Sequence, residues 1–400
     1  MIQKTINRLL QKRHFWRTVG FDELSEIYAS QLLRSLAASL IGIFVPVYLY
    51  KSGYSIAEIS FMFLVWFIAR FIWAYVSARI IGSMGPKHGI AISVVLQIIY
   101  LFLVLSVQTL NLPLWIIGIV GSFAYGLYVM AFNVDFSKIK HAEHGGKELG
   151  YLQIFERIGA VAGPLVGGFI AGFFDPRYTM LLAIFVLFLS LIPIFMSSEP
   201  TRQHQPIILK GFPMSRHIRN YYVGIAFQLE NVISINIWPL FLGAFIITTN
   251  TYASLGVLAS VSTAVAIIAV YAIGHLIDDQ KGRFLLNTGA IANSILHLFR
   301  PFVTSVGQAF GINLINEPVT AMIRMPFLKG MFDDSDSVPG YRVTYFMIYE
   351  WFVSAGNIIF WTFVCLAALY WNDMKALQAT FIIAAILSLL ITKQRFAALK

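Results

Sequence analysis

Cysteine, acidic residues and charge in general are scarce in this chain. The 400 residues include one cysteine, Cys365, and 12% charged residues, against roughly 25% in an ordinary soluble domain. A single thiol inside an apolar run excludes a disulfide framework and a cysteine-based metal site. The eight histidines show no metal-ligand spacing. No Gly-rich phosphate loop or soluble nucleotide domain is present, which argues against an ATP-driven pump and against a metal- or nucleotide-dependent enzyme. No cleavable leader is evident, so the first apolar run is expected to stay as an uncleaved first helix. No cofactor is called for.

Present instead is apolar sequence, at 58% hydrophobic and 15% aromatic. It falls into twelve long segments at about 27–50, 56–80, 88–108, 112–134, 149–173, 177–197, 221–246, 251–277, 284–304, 305–328, 343–370 and 374–392, each near the roughly 20 residues that cross a bilayer. They are apolar on all sides, which suits helices and not alternating barrel strands. The ninth and tenth are the least distinct, since Arg300 and Pro301 sit at their join.

The connections lack cations on every second loop. Lys51, Arg177 and Lys375 are the only ones there, and Arg34, Arg70, Arg157, Arg300 and Arg324 lie inside apolar segments, which leaves 21 of the 29 Lys and Arg for the other loops and the termini. Short cytoplasmic loops keep positive charge, so both termini are expected in the cytoplasm and the chain in the cell membrane. The net charge of +10 then serves topology and contact with anionic lipid headgroups, not nucleic acid. In the leader, Ile2, Ile6, Leu9 and Leu10 alternate with cations, a spacing open to a surface helix or a solvated tail.

The longest central polar stretch, 198–220, holds Pro200, Pro206 and Pro213. It divides a cytoplasmic segment (1–26) and a first six-span bundle (27–197) from a second bundle with a short cytoplasmic tail (221–400). Two echoes relate the halves. Pro46-Val47-Tyr48-Leu49 is answered by Pro239-Leu240-Phe241-Leu242, 193 residues on, and the stretch Ala78 to Lys87 by Gly274 to Arg283, 196 residues on. Transporters commonly carry such repeats, with a binding site at mid-membrane between them.

These stretches resemble the major facilitator superfamily, whose loop signature is Gly-x-x-x-Asp-Arg-x-Gly-Arg. Gly274, Asp278, Gly282 and Arg283 match it with one extra residue. In the first half Gly82 and Ser83 stand where the family has Asp and Arg, so the gate those residues form is not expected here. Gly159, Gly163, Pro164, Gly167 and Gly168 reproduce the fifth-helix signature of the family's drug and metabolite exporters. The resemblance implies an all-α integral membrane fold, twelve transmembrane helices in two pseudo-symmetric six-helix bundles, with helices one, four, seven and ten lining a central cavity. Many exporters of this kind place an Arg on helix four, whereas Tyr125, Gly126 and Tyr128 stand there.

Positions 159, 163 and 167 lie four apart, on one helix face that lets another backbone come close. A second small-residue stripe, Gly256, Ser260 and Ala264, makes the eighth helix the expected partner, through Gly167 and Gly256. Charges within spans cost roughly 2.5–3.5 kcal/mol each at the centre, so they mark a cavity or a partner. Glu230 and Glu317, with amide neighbours Asn231 and Asn316, sit near mid-membrane and are the candidate proton and substrate site. Arg34 and Glu156 are matched in depth as an interhelix pair, as are Arg70 and Glu350, with Arg324 a competing partner for Glu350. Arg300 reads as a cation reaching toward headgroups.

The expected function is therefore secondary transport of a small organic molecule by alternating access, as proton-coupled export, by a monomer and not an enzyme. A nutrient symporter or uniporter, or a lipid flippase, are the alternatives on the same fold, and a membrane enzyme the alternative from another class.

Overall fold

The computed structural model describes residues 21–139, 145–195, 207–277, 281–338 and 340–399, with side chains described at all of these except 21–26, 138–139, 145–149, 268, 271, 274, 275 and 398. The leader through 20, the first part of the central linker and Asp278 lie outside the described residues. Within them all regular structure is helical. The long helical segments are α1 (Ile27–Lys51), α2 (Ile56–Met84), α3 (Pro86–Leu105), α4 (Leu114–Ser137), α5 (Gly150–Phe173), α6 (Pro176–Ile194), α7 (Met214–Ile246), α8 (Thr251–Leu276), α9 (Gly282–Phe299), α10 (Val306–Asp336), α11 (Arg342–Tyr370) and α12 (Asp373–Ile391). Among the described residues nine, all but α8, α9 and α10, are long and apolar enough to cross a membrane, and α8 adds a shorter apolar stretch at Thr251–Ile267.

Local chemistry explains where these helices begin. Ser55 caps α2 in a reciprocal box with Glu58, each side chain meeting the other's backbone N–H at 3.2 and 2.8 Å. Side chains of Asp175, Ser305 and Asn372 cap α6, α10 and α12, and Pro86 and Pro176 occupy first turns where a missing N–H costs nothing. Gly85 alone joins α2 to α3, with φ of 92°, a left-handed conformation that a side chain would strain. The uncertain join of α9 and α10 is a short 3-10 turn, Arg300–Phe302, followed at Ser305 by the cap of α10. α7 is not a uniform α-helix, since wide π turns at Ile233–Ile237 and Leu242–Ile246 flank the short Trp238–Phe241 piece containing Pro239.

Packing is most extensive between α5 and α8, α5 and α1, and α2 and α11. The three glycines four apart on α5 turn toward α1: an added Cβ would come within 2.5 Å of the Leu32 carbonyl at Gly159, 2.6 Å of Ser39 Cβ at Gly163 and 2.3 Å of the Leu40 carbonyl at Gly167. The expected contact of Gly167 with Gly256 is therefore corrected by one residue. Gly168, about 100° around the helix, faces Gly256, its Cβ position 3.2 Å from Gly256 Cα. Each glycine face thus lets a different helix approach, α1 on one side and α8 on the other.

Two large apolar clusters close the molecule at its two ends. At the end where Ile27 and Leu399 lie, hereafter the terminal end, Ala78, Phe136, Tyr221, Phe327 and Tyr345 belong with them to one cluster. At the far end Leu49, Phe63, Ile237, Phe241 and Trp361 belong to another. Each cluster takes residues from both halves of the sequence, and the charged side chains of the helices are set between and beside them.

Candidate functional site

On α7, Glu230 is 1% exposed. Its Oε1 accepts from the Ser234 hydroxyl at 2.9 Å, one turn on, and lies 3.1 Å from His297 Nε2 on α9. Arg300, fully buried at the end of α9, has Nη1 3.1 Å from His297 Nδ1 and 3.0 Å from Ser234 Oγ, while Nη2 donates to Asn316 Oδ1 on α10 at 2.9 Å. A guanidinium only donates, so His297 Nδ1 is the acceptor and the ring proton sits on Nε2, facing the carboxylate. Arg300 and Glu230 are thereby joined, with opposite charges, through one neutral imidazole and one hydroxyl. Trp238 covers the guanidinium at 4.9 Å from ring centroid to Cζ. Arg300 does not reach toward headgroups: the 3-10 turn at Pro301 folds it back into the helices. Asn316 joins this network, whereas Asn231 makes no hydrogen bond to it.

Glu317, one residue from Asn316, points to α5. Its carboxylate meets Arg157 Nη1 at 2.7 Å, a cation 160 residues away in the chain. Next to it, Glu156 takes Arg324 of α10 at 3.0 Å and the amide of Gln153 at 2.9 Å. Arg34 and Glu156 are not paired. The Ser35 hydroxyl bonds the Glu156 carbonyl at 2.5 Å, which holds α1 on α5 and sends the carboxylate toward α10. Arg70 of α2 and Glu350 of α11 form a forked pair at 2.7 and 3.2 Å, with side chains 8% and 3% exposed. Arg324 is consequently not on Glu350. Three ion pairs therefore run from residues before the central linker to residues after it.

Arg34 differs from these cations. It is 7% exposed, its Nη2 donates to Gln97 of α3 at 3.1 Å, and its guanidinium lies 3.0 Å over the ring of Tyr128 on α4, whose hydroxyl bonds Gln31. Its Nε has no hydrogen-bond partner, and no carboxylate stands within ion-pair distance among the described residues. His297, Gln97 and Gln31 carry much of this geometry without having stood out in the sequence, and Arg157 stood out only as an intramembrane cation with no partner assigned. His297 and Arg300 lie three apart on one helix face, which was the one legible hint. No group of three or more metal-ligating side chains occurs among the described residues.

A family model described as Major Facilitator Superfamily matches residues 27–330. An uncharacterized protein of Bacillus subtilis, YqgE, is 23% identical over 336 residues, covering 82% of this chain and 78% of that one. Among solved structures, the Escherichia coli fucose:proton symporter FucP aligns with a TM-score of 0.62 at 14% identity, over 93% of this chain and 98% of that one. The human organic anion transporter MFSD10 aligns with a TM-score of 0.68 at 11% identity, over 93% and 98%. Those identities speak to the fold, which is that of multi-pass transporters. With most of its length matched by the family model, the chain belongs to the major facilitator superfamily.

Proposed function

We propose that this protein is a proton-coupled transporter of small organic molecules that carry an acidic group, working by alternating access. The observation that carries the reading is the contrast among its intramembrane cations. Arg70 and Arg157 meet carboxylates directly, Arg324 does so too, and Arg300 reaches one through His297 and Ser234, but Arg34 has none among the described residues. A buried cation is costly without a counter-ion. An acidic substrate group supplies one, and Gln97 and Tyr128 hold the guanidinium ready for it. Glu317 is occupied by Arg157, and Glu230 is answered by Arg300 through His297 and Ser234, which disfavours a cationic substrate. MFSD10, which shares the fold, is an organic anion transporter, in line with this choice.

The ion pairs between α2 and α11 and between α5 and α10 are the contacts that separate and re-form as the two halves rock. In this reading twelve helices cross the membrane in two six-helix bundles, with the terminal end in the cytoplasm. Cysteines at Ser198 and Thr109, in a background without Cys365, then label from opposite sides. Glu230 and Glu317 are the proton sites, since a proton on either carboxylate releases its cation. The fifth-helix glycine signature favours export. The fold likeness to a fucose:proton symporter supports uptake as the second reading.

The test is a proteoliposome screen of acidic, neutral and basic compounds, with and without an imposed pH gradient. Gradient-driven movement of acidic compounds is expected. Glu230→Gln or Glu317→Gln should abolish uphill movement while leaving exchange. Transport confined to neutral or basic compounds would overturn the substrate class, and uphill transport surviving in both Gln variants would remove the carboxylates from the coupling.

A further inference from the structure

At the terminal end of the second half, away from the charges described above, lies a cleft of about 440 Å³ whose walls include Arg219, Arg283 and Arg395. Three separate segments bring these cations together. Arg219 is in the first turns of α7, Arg283 in the first turn of α9, and Arg395 in the tail that follows α12. The tail is built into place. Phe396 is 1% exposed and packs on Phe327 with ring centroids 5.3 Å apart, and Leu399 lies 2.8 Å from where a Cβ on Gly282 would be. Arg219 Nε donates to the Lys393 carbonyl at 2.7 Å, and the Arg395 N–H donates to Asn220 Oδ1 at 3.0 Å. These bonds fix the Arg395 backbone and one nitrogen of Arg219 while leaving the outer guanidinium nitrogens for another acceptor.

No carboxylate among the described residues takes that place. The acids at this end are already engaged: Asp333 with Lys329, Asp336 with Arg342, and Asp334 with His217, Asn220 and Tyr345. Asp278 and Asp279, nearest to Arg283 in sequence, lie outside the described residues. The start of α9 adds the positive end of an 18-residue helix to the same cleft. Topology needs only net positive charge on these loops and has no use for a shaped recess. Guanidinium forks facing one recess match the tetrahedral oxygens of a phosphate group. Beside Arg283, Phe284 is 67% exposed and offers an apolar surface next to the charge.

We propose that this cleft is a binding site for a phosphate-bearing anion, held by Arg219, Arg283 and Arg395. The same chemistry is presented by the headgroup of an anionic phospholipid in the facing leaflet and by a soluble phosphate ester. The site is independent of the transport reading, and its ligand is not the transported substrate.

Native mass spectrometry of the full-length protein in detergent, titrated with phosphatidylglycerol or phosphatidylcholine, separates these sources from simple surface charge. Pyrophosphate binding by calorimetry forms a second arm. The lipid source gives at least about 10-fold preferential retention of phosphatidylglycerol and no saturable pyrophosphate binding. The soluble source gives saturable pyrophosphate binding. In either case Arg283→Gln with Arg395→Gln should lower binding about 10-fold or more, Arg283→Lys should retain part of it, and Arg216→Gln, outside the cleft, should not change it. All three are exposed side chains, and an unchanged melting temperature confirms that each variant is folded. Equal losses for Arg216→Gln and the cleft variant would reduce the effect to general charge and overturn the site, as would binding of neither probe.

Discussion

Shifting the first half by 196 residues, the spacing of the loop echo, places Arg34 on Glu230 and Gln97 on Asn293. In each half an amide of the third helix stands in register with the charged residue of the first: Gln97 accepts from Arg34 at 3.1 Å, whereas Asn293 donates to Ser388 at 3.2 Å. The frames agree and the charges are opposite. The same shift puts Ala38, Leu101 and Val104 where the second half has Ser234, His297 and Arg300. Ser234, His297 and Arg300 neutralise Glu230 from within its own half, and the apolar residues in their places leave Arg34 without a counter-ion among the described residues. One frame has therefore been used twice, once with its charge answered internally and once with the answer left to something else.

The largest effect expected from this comparison is on stability, and it has opposite character in the two halves. Glu230→Gln leaves Arg300 buried without its acid, which costs about 3–5 kcal/mol for a broken buried pair. Arg34→Gln removes a cation that has no acid, so stability should stay level or rise. Thermal unfolding of both variants in detergent measures the contrast, and equal losses would show that Arg34 is as fully neutralised as Glu230.

Next in size is the effect of Arg34 on ligand binding. Losing a hydrogen bond to a charged group is worth about 1.5–3 kcal/mol, or about 10- to 100-fold in affinity. Arg34→Gln should weaken an acidic substrate by that factor, and Arg34→Lys, which keeps charge but not the fork, should fall between. Equilibrium binding to purified protein reads both. An acidic substrate bound equally well by Arg34→Gln would place the counter-ion elsewhere.

Much of this was legible in the sequence, and the rest was hidden for identifiable reasons. Helix positions follow from apolar length and from caps such as Ser55 and Ser305, so they could be read locally. Arg70 and Glu350 could be matched because their depths agree and the family resemblance implies that their helices meet across the halves. Glu156 and Arg34 share depth too, but Ser35 takes the Glu156 carbonyl and the carboxylate turns away, a rotation that depth does not encode. Arg300 beside Pro301 reads as a loop cation until the 3-10 turn places it inside. Glu317 looks free of cations along the chain because Arg157 arrives from α5.

The contact between the halves gives the third effect. An added Cβ at Gly256 meets the Pro164 carbonyl at 2.2 Å, a backbone atom that cannot turn aside, whereas at Gly172 it meets Ala253 Cβ at 3.4 Å, ordinary contact. Overpacking costs about 1–3 kcal/mol. Gly256→Ala should therefore lower thermal stability or separate α5 from α8, and Gly172→Ala should do neither. Similar results from the two would mean that this contact is looser than its distances imply. Disulfide trapping between cysteines at Gly168 and Gly256 checks the register independently.

The smallest effect is expected where the halves meet through partly exposed charge. Arg324 and Glu156 are 32% and 22% exposed, against 8% and 3% for Arg70 and Glu350. Solvent weakens such a pair to about 0.2–1 kcal/mol, while close buried charge pairs across an interface couple by about 1.5 kcal/mol or more. Double-mutant cycles on thermal stability should rank them in that order. Exchanging the charges, Arg70→Glu with Glu350→Arg, should recover transport that either single change loses, since the pair supplies attraction whichever half holds the cation. The corresponding exchange of Arg324 and Glu156 should change transport by less than about 2-fold, the scale of a weakly coupled surface pair. A larger loss there would make α5 and α10 the principal tie between the halves and demote the α2–α11 pair to a secondary contact.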